Sequence, residues 1–328
     1  MKTKLQKINP IMLKKHLDNK VIGQDTAKKQ LCMAIQSQIN NYISDEISEY
    51  EYKKNLFLIG PQGCGKSETI LALKEILPLP IVTVDAFALR QKGDKSVEYL
   101  INKILKASKS NVEIAKHAII VIENLDNALT IDISKYIIDK DGVNLVNTIE
   151  GMISDEIEIE LNFENDKEKV LFNFENNMFI ITSVLQGIES LVKYRKGTNK
   201  IGFSTEKIYK DLYEEVEAID LINYGFSTSF IASFDSIIIY KQRTKDEIVE
   251  ILFKSDIINY YKNKFLENGI NLKIEKEAII NLADYCNDRK LGLFSIRNII
   301  EKKMTVLAFD NSLNDNEKNI NIKSFLDV

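Results

Sequence analysis

Short, unbroken apolar runs alternate with stretches of helical periodicity through roughly the first 240 residues of the chain. Apolar runs of this length that end in a polar or glycine-rich turn are typical of buried parallel strands. They predict five strands, at residues 56–59, 80–84, 118–122, 178–182 and 236–240. Because helical stretches separate these strands, the pattern predicts an α/β fold, a parallel sheet with helices on both of its faces.

Two regions depart from this alternation. Between residues 156 and 174, apolar and polar residues alternate on either side of a polar turn, which predicts a β-hairpin inserted before the fourth strand. After residue 240 helical periodicity dominates, and Thr244-x-x-Glu247 has the spacing of a capping box that opens a helix. The sequence therefore predicts two domains, a large one at 1–240 and a small, mostly helical lid domain at 241–328.

The amino-terminal region has a helical pattern of its own. It covers residues 11–44 and is interrupted at residues 21–24, Val-Ile-Gly-Gln. Asp25 follows the interruption, and aspartate is a favoured residue at the N-cap of a helix. We therefore expect two helices joined by a short turn, with Asp25 capping the second helix.

Charge and composition exclude several classes of protein. The 328 residues include 44 basic and 48 acidic side chains, a net charge of −4, so no basic excess points to nucleic acid as a partner. The sequence predicts no membrane span and no signal peptide, because it contains no long apolar run, either internally or after its basic start. The three cysteines, Cys32, Cys64 and Cys286, are widely spaced, which argues against disulfides or a zinc module and fits a cytoplasmic protein.

The clearest chemical signal is a glycine-rich loop between the first predicted strand and the helix after it. Residues 60–67, Gly-Pro-Gln-Gly-Cys-Gly-Lys-Ser, match the phosphate-binding pattern G-x-x-x-x-G-K-[ST] without deviation. Glycines let the backbone close around phosphate oxygens, and the N–H groups of the loop and helix point at the anion. Lys66 places a cation on the outer phosphates, and the Ser67 hydroxyl is a ligand for Mg²⁺. The predicted site for ATP and Mg²⁺ consists of Pro61, Gln62, Gly63, Cys64, Gly65, Lys66 and Ser67.

The end of the third predicted strand carries only half of the acidic pair that ATPases of this layout use. One carboxylate of such a pair supports Mg²⁺ through water, and the other deprotonates the attacking water. Glu123 is the candidate for the first role. Asn124 occupies the second position, where its amide can orient a water but cannot accept its proton. Asp126 is expected to be structural.

In these motifs and in their order, the chain resembles the ClpX-type AAA+ unfoldases, with HslU a more distant relative. The resemblance begins at about Asn9, covers nearly the whole chain, and leaves no counterpart for the family's N-terminal zinc module. Beyond the phosphate loop it is carried by His16-Leu17-Asp18, Val21-Ile22-Gly23-Gln24-Asp25, Ala27-Lys28-Lys29, residues 55–61, Gly142-Val143, Ile149-Glu150-Gly151, Ile201-Gly202-Phe203, residues 220–226, Phe230-Ile231 and residues 295–301.

The resemblance implies roles for residues that the phosphate loop does not include. Val21 and Ile22 would flank the adenine ring of ATP. Thr182 or Ser183 would read the γ-phosphate as sensor 1, the register leaving both open. The small C-terminal domain would then be the lid over the nucleotide.

The resemblance also implies partners. Residues 194–205 correspond to an exposed loop of the family, in which Ile201-Gly202-Phe203 would dock a ClpP-type peptidase. The equal alternative is a vestigial apolar loop anchor without a partner. The family assembles as rings, so we expect a hexamer of this chain or a ring shared with an active ClpX-type paralogue.

Several positions depart from the family's pattern at its working parts. The family's catalytic glutamate falls on Asn124, its arginine finger on Ser233 and its sensor 2 arginine on Phe294. Its first pore loop falls near Gly93-Asp94-Lys95, which lacks an aromatic residue, and its basic pore hairpin on residues 164–169, whose charge is mixed. An arginine finger contributes roughly 10³–10⁵ in rate in related enzymes, so these losses together indicate relaxed selection for ATP-driven unfolding.

Three functions follow as hypotheses. The favoured one is a ClpX-like pseudoenzyme that binds ATP, hydrolyses it slowly or not at all, and acts through ring assembly and peptidase docking. The alternative is an active unfoldase of a Clp-type protease, in which Glu123 reaches the water and Arg243 or Arg195 acts on a neighbouring subunit's nucleotide. The third, a nucleic-acid-associated AAA+ module, is disfavoured by the charge balance.

Overall fold

The computed structural model describes residues 1–44, 54–129, 131–132, 137–161, 170–197, 212–289, 291–313 and 319–327. The chain forms two compact units. The first unit consists of Met1–Pro61 and Gly65–Lys241, and the second of Gln62–Cys64 and Gln242–Val328.

The first unit is built on a five-stranded sheet whose neighbouring strands are all parallel. Its strands are β1 (Leu56–Ile59), β2 (Ile81–Asp85), β3 (Ile119–Glu123), β8 (Met178–Ser183) and β9 (Ser236–Ile239), in the spatial order β2-β3-β8-β1-β9. The three inner strands are buried along almost their whole length, as expected of continuous apolar runs in a sheet that is covered on both faces. The predicted α/β parallel sheet is confirmed.

Helices and two short antiparallel ribbons surround this sheet. The ribbons are β4 (Ile131–Asp132) with β5 (Ile137–Ile138), and β6 (Ile159–Leu161) with β7 (Val170–Phe172). The helices are α1 (Lys2–Leu5), α2 (Pro10–Lys20), α3 (Asp25–Ile43), α4 (Lys66–Ile76), α5 (Ala86–Lys92), α6 (Ser96–Ala107), α7 (Val112–Ala115), α8 (Lys140–Ile153), α9 (Ile188–Arg195), α10 (Ala218–Tyr224) and α11 (Thr228–Ala232). Short 3₁₀ turns occur at Gly93–Lys95, Leu125–Ala128 and Leu212–Glu215.

The predicted hairpin before the fourth sheet strand is confirmed by the pairing of β6 with β7, in which Ile159 lies opposite Phe172. Phe172 and Phe174 are fully buried and belong to the core. The alternation of apolar and polar residues therefore marks a side of this strand that packs into the core. The turn of this hairpin, residues 162–169, lies outside the described residues.

A cluster of aromatic rings attaches the last part of the first unit to the inner strand β1. The Phe57 ring of β1 contacts the rings of Phe226, Phe230 and Phe234, with centroid distances of 5.9, 6.2 and 5.1 Å. Offset and edge-to-face pairs of this kind each add about 0.5–1.5 kcal/mol beyond the buried area. The cluster therefore holds α11 and the entry to β9 against β1.

The second unit is mainly helical, as the periodicity predicts, but it also contains a small sheet. Its helices are α12 (Lys245–Lys254), α13 (Asp256–Glu267), α14 (Lys276–Asp288) and α15 (Leu293–Leu313), and its strands β10 (Asn271–Ile274) and β11 (Asn319–Ile322) pair in parallel. The capping box at Thr244 and Glu247 is confirmed, with both reciprocal hydrogen bonds present. The sheet was not predicted, because each strand has only four residues.

The expectation that Asp25 caps α3 is wrong. Asp25 is the first residue of that helix, and the N-cap is Gln24, which has left-handed backbone angles and makes no side-chain cap bond. The Asp25 carboxylate instead accepts ion pairs from Lys14 at 2.6 Å and Lys29 at 2.6 Å. These hydrogen bonds, first from Lys14 and then from Lys29, lower the pKa of Asp25 to about 2.

Replacement of the buried Asn177 would test which contacts hold the starts of β3 and β8 together. Its side chain donates to the carbonyl oxygens of Ala115 at 2.8 Å and Ala118 at 3.1 Å, which joins the turn before β3 to the start of β8. We expect Asn177→Ala to lower the free energy of unfolding by about 2 kcal/mol, because two buried hydrogen bonds are lost. Chemical denaturation measures this change, and the half-buried Asn173→Ala serves as the matched control. Equal midpoints for the two variants would contradict the assignment.

Candidate nucleotide-binding site

The phosphate loop of residues 60–67 connects β1 to α4 and has the backbone that an anion site requires. Gly63 and Gly65 have φ angles of +76° and +107°, in the region that favours glycine. Gly65 is the N-cap of α4 and makes no side-chain cap bond, so side chains leave the first N–H groups of this helix uncapped. A helix start of this kind, following a left-handed glycine turn, fits the phosphates of a nucleotide.

Gly60 is required by packing and not by phosphate. A Cβ atom at this position would lie 2.4 Å from the carbonyl oxygen of Tyr240, the residue that follows β9. The Tyr240 N–H in turn donates to the Ile59 carbonyl at 2.7 Å. The start of the loop is therefore fixed against the backbone at the end of β9.

The side chains of the loop are arranged for phosphate and Mg²⁺. Lys66 is 8% exposed, and its ammonium donates to the carbonyl oxygens of Gly60 at 2.5 Å and Pro61 at 3.1 Å. Its cation thus lies over the first residues of the loop, which suits a partner for phosphate oxygens. Ser67 is exposed and would offer its hydroxyl to a metal ion, and Cys64 is buried and not part of a disulfide.

The carboxyl ends of β2 and β3 bring together a group that the sequence analysis did not assemble. The register places Asp85, at the end of β2, beside Glu123, at the end of β3. Asn124 follows Glu123 with a left-handed φ of +59°. Its side-chain amide donates to Asp85 at 3.0 Å, and its backbone N–H donates to the Thr182 hydroxyl at 3.2 Å.

This geometry fixes the orientation of the Asn124 carboxamide. Because the amino group is used by Asp85, the side-chain oxygen is the group left to accept a hydrogen bond from a ligand or water. Asp85 also accepts the Phe87 N–H at 2.9 Å and so caps α5. The sequence analysis missed Asp85. An aspartate between an apolar strand and a helix is the signal that could have identified it.

Asp126 is structural, as the sequence predicted. Its carboxylate accepts the Ser183 hydroxyl at 2.7 Å and the Val184 N–H at 2.9 Å, which joins the segment after β3 to the end of β8. Of the two candidates for sensor 1, Thr182 contacts Asn124 and Ser183 is engaged by Asp126. Thr182 is therefore the candidate that lies in contact with the predicted catalytic position, Asn124.

The turn predicted to flank the base lies between α2 and α3. Val21 is 1% exposed, and Ile22 is half-buried. Helix α2 rests on α4, the helix that follows the phosphate loop, through His16 to the Ala72 carbonyl at 3.0 Å and Lys20 to Glu75 at 2.8 Å. The turn therefore follows a helix that packs against α4, and the phosphate loop leads directly into α4.

Among the other predicted working positions, Ser233 makes its side-chain hydrogen bond outside this cluster. The Ser233 hydroxyl donates to the Phe230 carbonyl at 2.7 Å, within its own helix end. Gly93–Lys95 forms an exposed 3₁₀ turn. Residues 164–169 and Ile201-Gly202-Phe203 lie outside the described residues, as does the side chain of Phe294 in α15.

Arg195, which the sequence analysis considered as a finger for a neighbouring subunit's nucleotide, is engaged within the first unit. Its guanidinium donates to both carboxylate oxygens of the fully buried Asp220 at 2.9 Å and to Glu217 at 2.7 Å. A buried carboxylate needs such a partner, because an unpaired charge is costly away from water. Arg195 therefore has a structural role in the first unit.

Comparisons with known proteins agree with this geometry. Residues 56–182 match the family model for the ATPase family associated with various cellular activities, AAA. The chain is also 26% identical over 323 residues to the "ATP-dependent Clp protease ATP-binding subunit ClpX" of Treponema denticola, an alignment that covers 92% of this chain and 77% of the relative. Residues 56–182 therefore form an AAA ATPase domain, and most of the chain is similar to a ClpX-type AAA+ ATPase. Among the residues that the structure describes, none of the helices has both the length and the apolar character to cross a membrane.

Lys66 provides a direct test of the AAA+ phosphate loop. We expect Lys66→Ala to weaken ATP binding by about 10- to 100-fold, because a hydrogen bond to a charged group is worth roughly 1.5–3 kcal/mol. Calorimetric titration with ATP and Mg²⁺ measures the affinity. Lys74→Ala is the matched control, since Lys74 lies on the same helix and donates to Thr83. Similar affinities for the two variants would show that the loop does not hold the phosphates.

Proposed function

We propose that this ClpX-like protein binds ATP with Mg²⁺, hydrolyses it weakly or not at all, and acts through assembly. The observation that carries the proposal is the pair at the edge of the sheet. Where the attacking water needs a base, the chain has the carboxamide of Asn124, held by Asp85. The loop of residues 60–67 has the full phosphate-loop pattern and its left-handed glycines, which supports binding without turnover.

The roles follow from the chemistry of each group. Lys66 and the loop amides hold the phosphates, while Ser67 and, through water, Glu123 hold Mg²⁺. The side-chain oxygen of Asn124 orients a water near the γ-phosphate but cannot take its proton. Val21 and Ile22 flank the base. When bound, Mg²⁺ would neutralise charge on the outer phosphates.

Two missing groups account for weak turnover. General-base assistance contributes roughly 10²–10⁴ in rate, and an arginine finger roughly 10³–10⁵. Asn124 stands in place of the first and Ser233 in place of the second. The Ser233 hydroxyl is engaged with Phe230 and carries no charge for a neighbouring phosphate.

The alternative is an active ATP-dependent unfoldase. The name of the relative from Treponema denticola, an ATP-dependent Clp protease subunit, favours this alternative. In that reading Glu123 would act as base and a cation from elsewhere would replace the finger. The engagement of Arg195 with Asp220 disfavours one of the two cations considered for that role.

Restoring the base decides between these functions. We expect Asn124→Glu to raise ATP turnover by about 10²-fold, the low end of the range for a general base, because the finger is still missing. Asn124→Gln is the control, since it adds the same length without a carboxylate. Addition of Ser233→Arg to Asn124→Glu should raise turnover again in assembled protein. Brisk turnover by the native chain, with no gain from either change, would support the active unfoldase.

Assembly and docking complete the proposal. The chain would join a ring, of itself or of an active ClpX-type paralogue, and present Ile201-Gly202-Phe203 to a ClpP-type peptidase. The supporting observations are the family and the sequence of that loop. Cys32, Cys64 and Cys286 are all buried and outside disulfides, which fits a protein of the reducing cytoplasm.

Docking has its own test. In the presence of ATP, we expect Phe203→Ala to abolish cosedimentation with a ClpP-type peptidase, because the aromatic anchor of the loop is lost. Phe253→Ala is the matched control, since Phe253 is another exposed phenylalanine, at 47% exposure in the second unit. Binding that survives Phe203→Ala, or that never occurs in the native chain, would make the loop a vestige.

A further inference from the structure

Two sets of contacts attach the turn of residues 21–24 and the start of the phosphate loop to the same stretch of backbone. Gly60 packs directly on the Tyr240 backbone. The next residue, Lys241, is held by the side chain of Gln24, which closes the turn. The turn and the loop are thus fixed to adjacent residues of a single segment, the extension of β9.

Gln24 makes this attachment with both ends of its carboxamide. Its amino group donates to the Lys241 carbonyl at 2.8 Å, and its oxygen accepts the Lys241 N–H at 2.9 Å. The residue is 7% exposed. A carboxamide that pairs with a peptide group in this way substitutes for a neighbouring strand where the sheet has ended.

A buried lysine holds the other end of the turn. The Lys28 ammonium donates to the Val21 carbonyl at 2.9 Å and to Asp18 at 2.5 Å, and the residue is 3% exposed. Asp18 is also paired with Lys14 at 2.8 Å. A buried ammonium is stable only with such partners, so the position of the Val21 carbonyl is strongly constrained.

The backbone of the turn confirms that tertiary contacts determine its shape. Gly23 and Gln24 have consecutive positive φ angles of +66° and +58°. A left-handed conformation is unfavourable for glutamine and persists only where the surroundings fix it. Here the two hydrogen bonds to Lys241 provide that constraint.

We propose that Gln24 and Lys28 are positioning residues that hold Val21 and Ile22 at a fixed distance from the phosphate loop, and so determine how much the nucleoside adds to binding of the triphosphate. This inference rests on the proposed function, in which Val21 and Ile22 flank the base. Its chemical content is a preference for a nucleoside triphosphate over the same triphosphate without a nucleoside. Neither Gln24 nor Lys28 need touch the ligand.

The test compares two ligands with the full-length chain, ATP and inorganic tripolyphosphate, each with Mg²⁺ in calorimetric titrations. Gln24→Met keeps the length of the side chain and removes both hydrogen bonds. We expect it to weaken ATP binding by about tenfold and to leave tripolyphosphate binding within about twofold. Gln36→Met, the same change within the helix that Gln24 precedes, is the matched control and should alter neither affinity.

A second variant separates the hydrogen bonds from the backbone conformation. Gln24→Gly relaxes the left-handed angle but lacks the carboxamide, so it should reproduce the selective loss of ATP affinity even if Gln24→Met folds poorly. Equal weakening of both ligands, or no weakening of ATP, would overturn the inference. It would also fall if the native chain bound ATP no more tightly than tripolyphosphate. Binding of neither ligand by the native chain would instead refute the proposed function.

Discussion

The parallel pairing of β1 with β8 on one side and β9 on the other is the constraint on which the site depends. Parallel strands in register end at one edge of a sheet, and ligands bind outside that edge. Ile59 lies opposite Ser183 and Ile239, so the phosphate loop, the end of β8 and the extension of β9 leave the sheet at the same level. The apolar runs that bury these strands therefore also determine which polar residues can meet.

At that edge, the requirements for binding and for hydrolysis fall on different parts of the chain. Binding relies on backbone N–H groups and one lysine, which persist as long as the glycine turn and the helix start persist. Hydrolysis relies on the identity of a few side chains. Asn124 is held on its backbone by Thr182 and on its side chain by Asp85, so the position remains well ordered. What it lacks is basicity, and this is why a well-formed nucleotide site is compatible with slow turnover.

Local patterns predicted the sheet, the loop and the capping box at Thr244, because each depends on neighbours within a few residues. The contacts that complete the site depend on distant ones. Asn124 and Asp85 are 39 residues apart in sequence, and Gln24 and Lys241 are 217 apart. The same limit explains the wrong cap at Asp25: aspartate favours an N-cap locally, but ion pairs with Lys14 and Lys29 stabilise it within the helix instead. Sequence patterns alone do not contain such long-range competition.

The strained turn at Gln24 shows why these distant contacts would matter for the proposed binding function. If a ligand has to order a flexible turn when it binds, the entropy lost by the turn lowers the affinity. A turn that is already ordered avoids this loss. Here the left-handed backbone is held in place by the Lys241 peptide group and, at the other end of the turn, by the Lys28 ammonium. The strain is local, and the fold compensates for it elsewhere. A site with a preformed nucleoside contact and no general base would hold a nucleotide for a long time, which is the property that the proposed assembly requires.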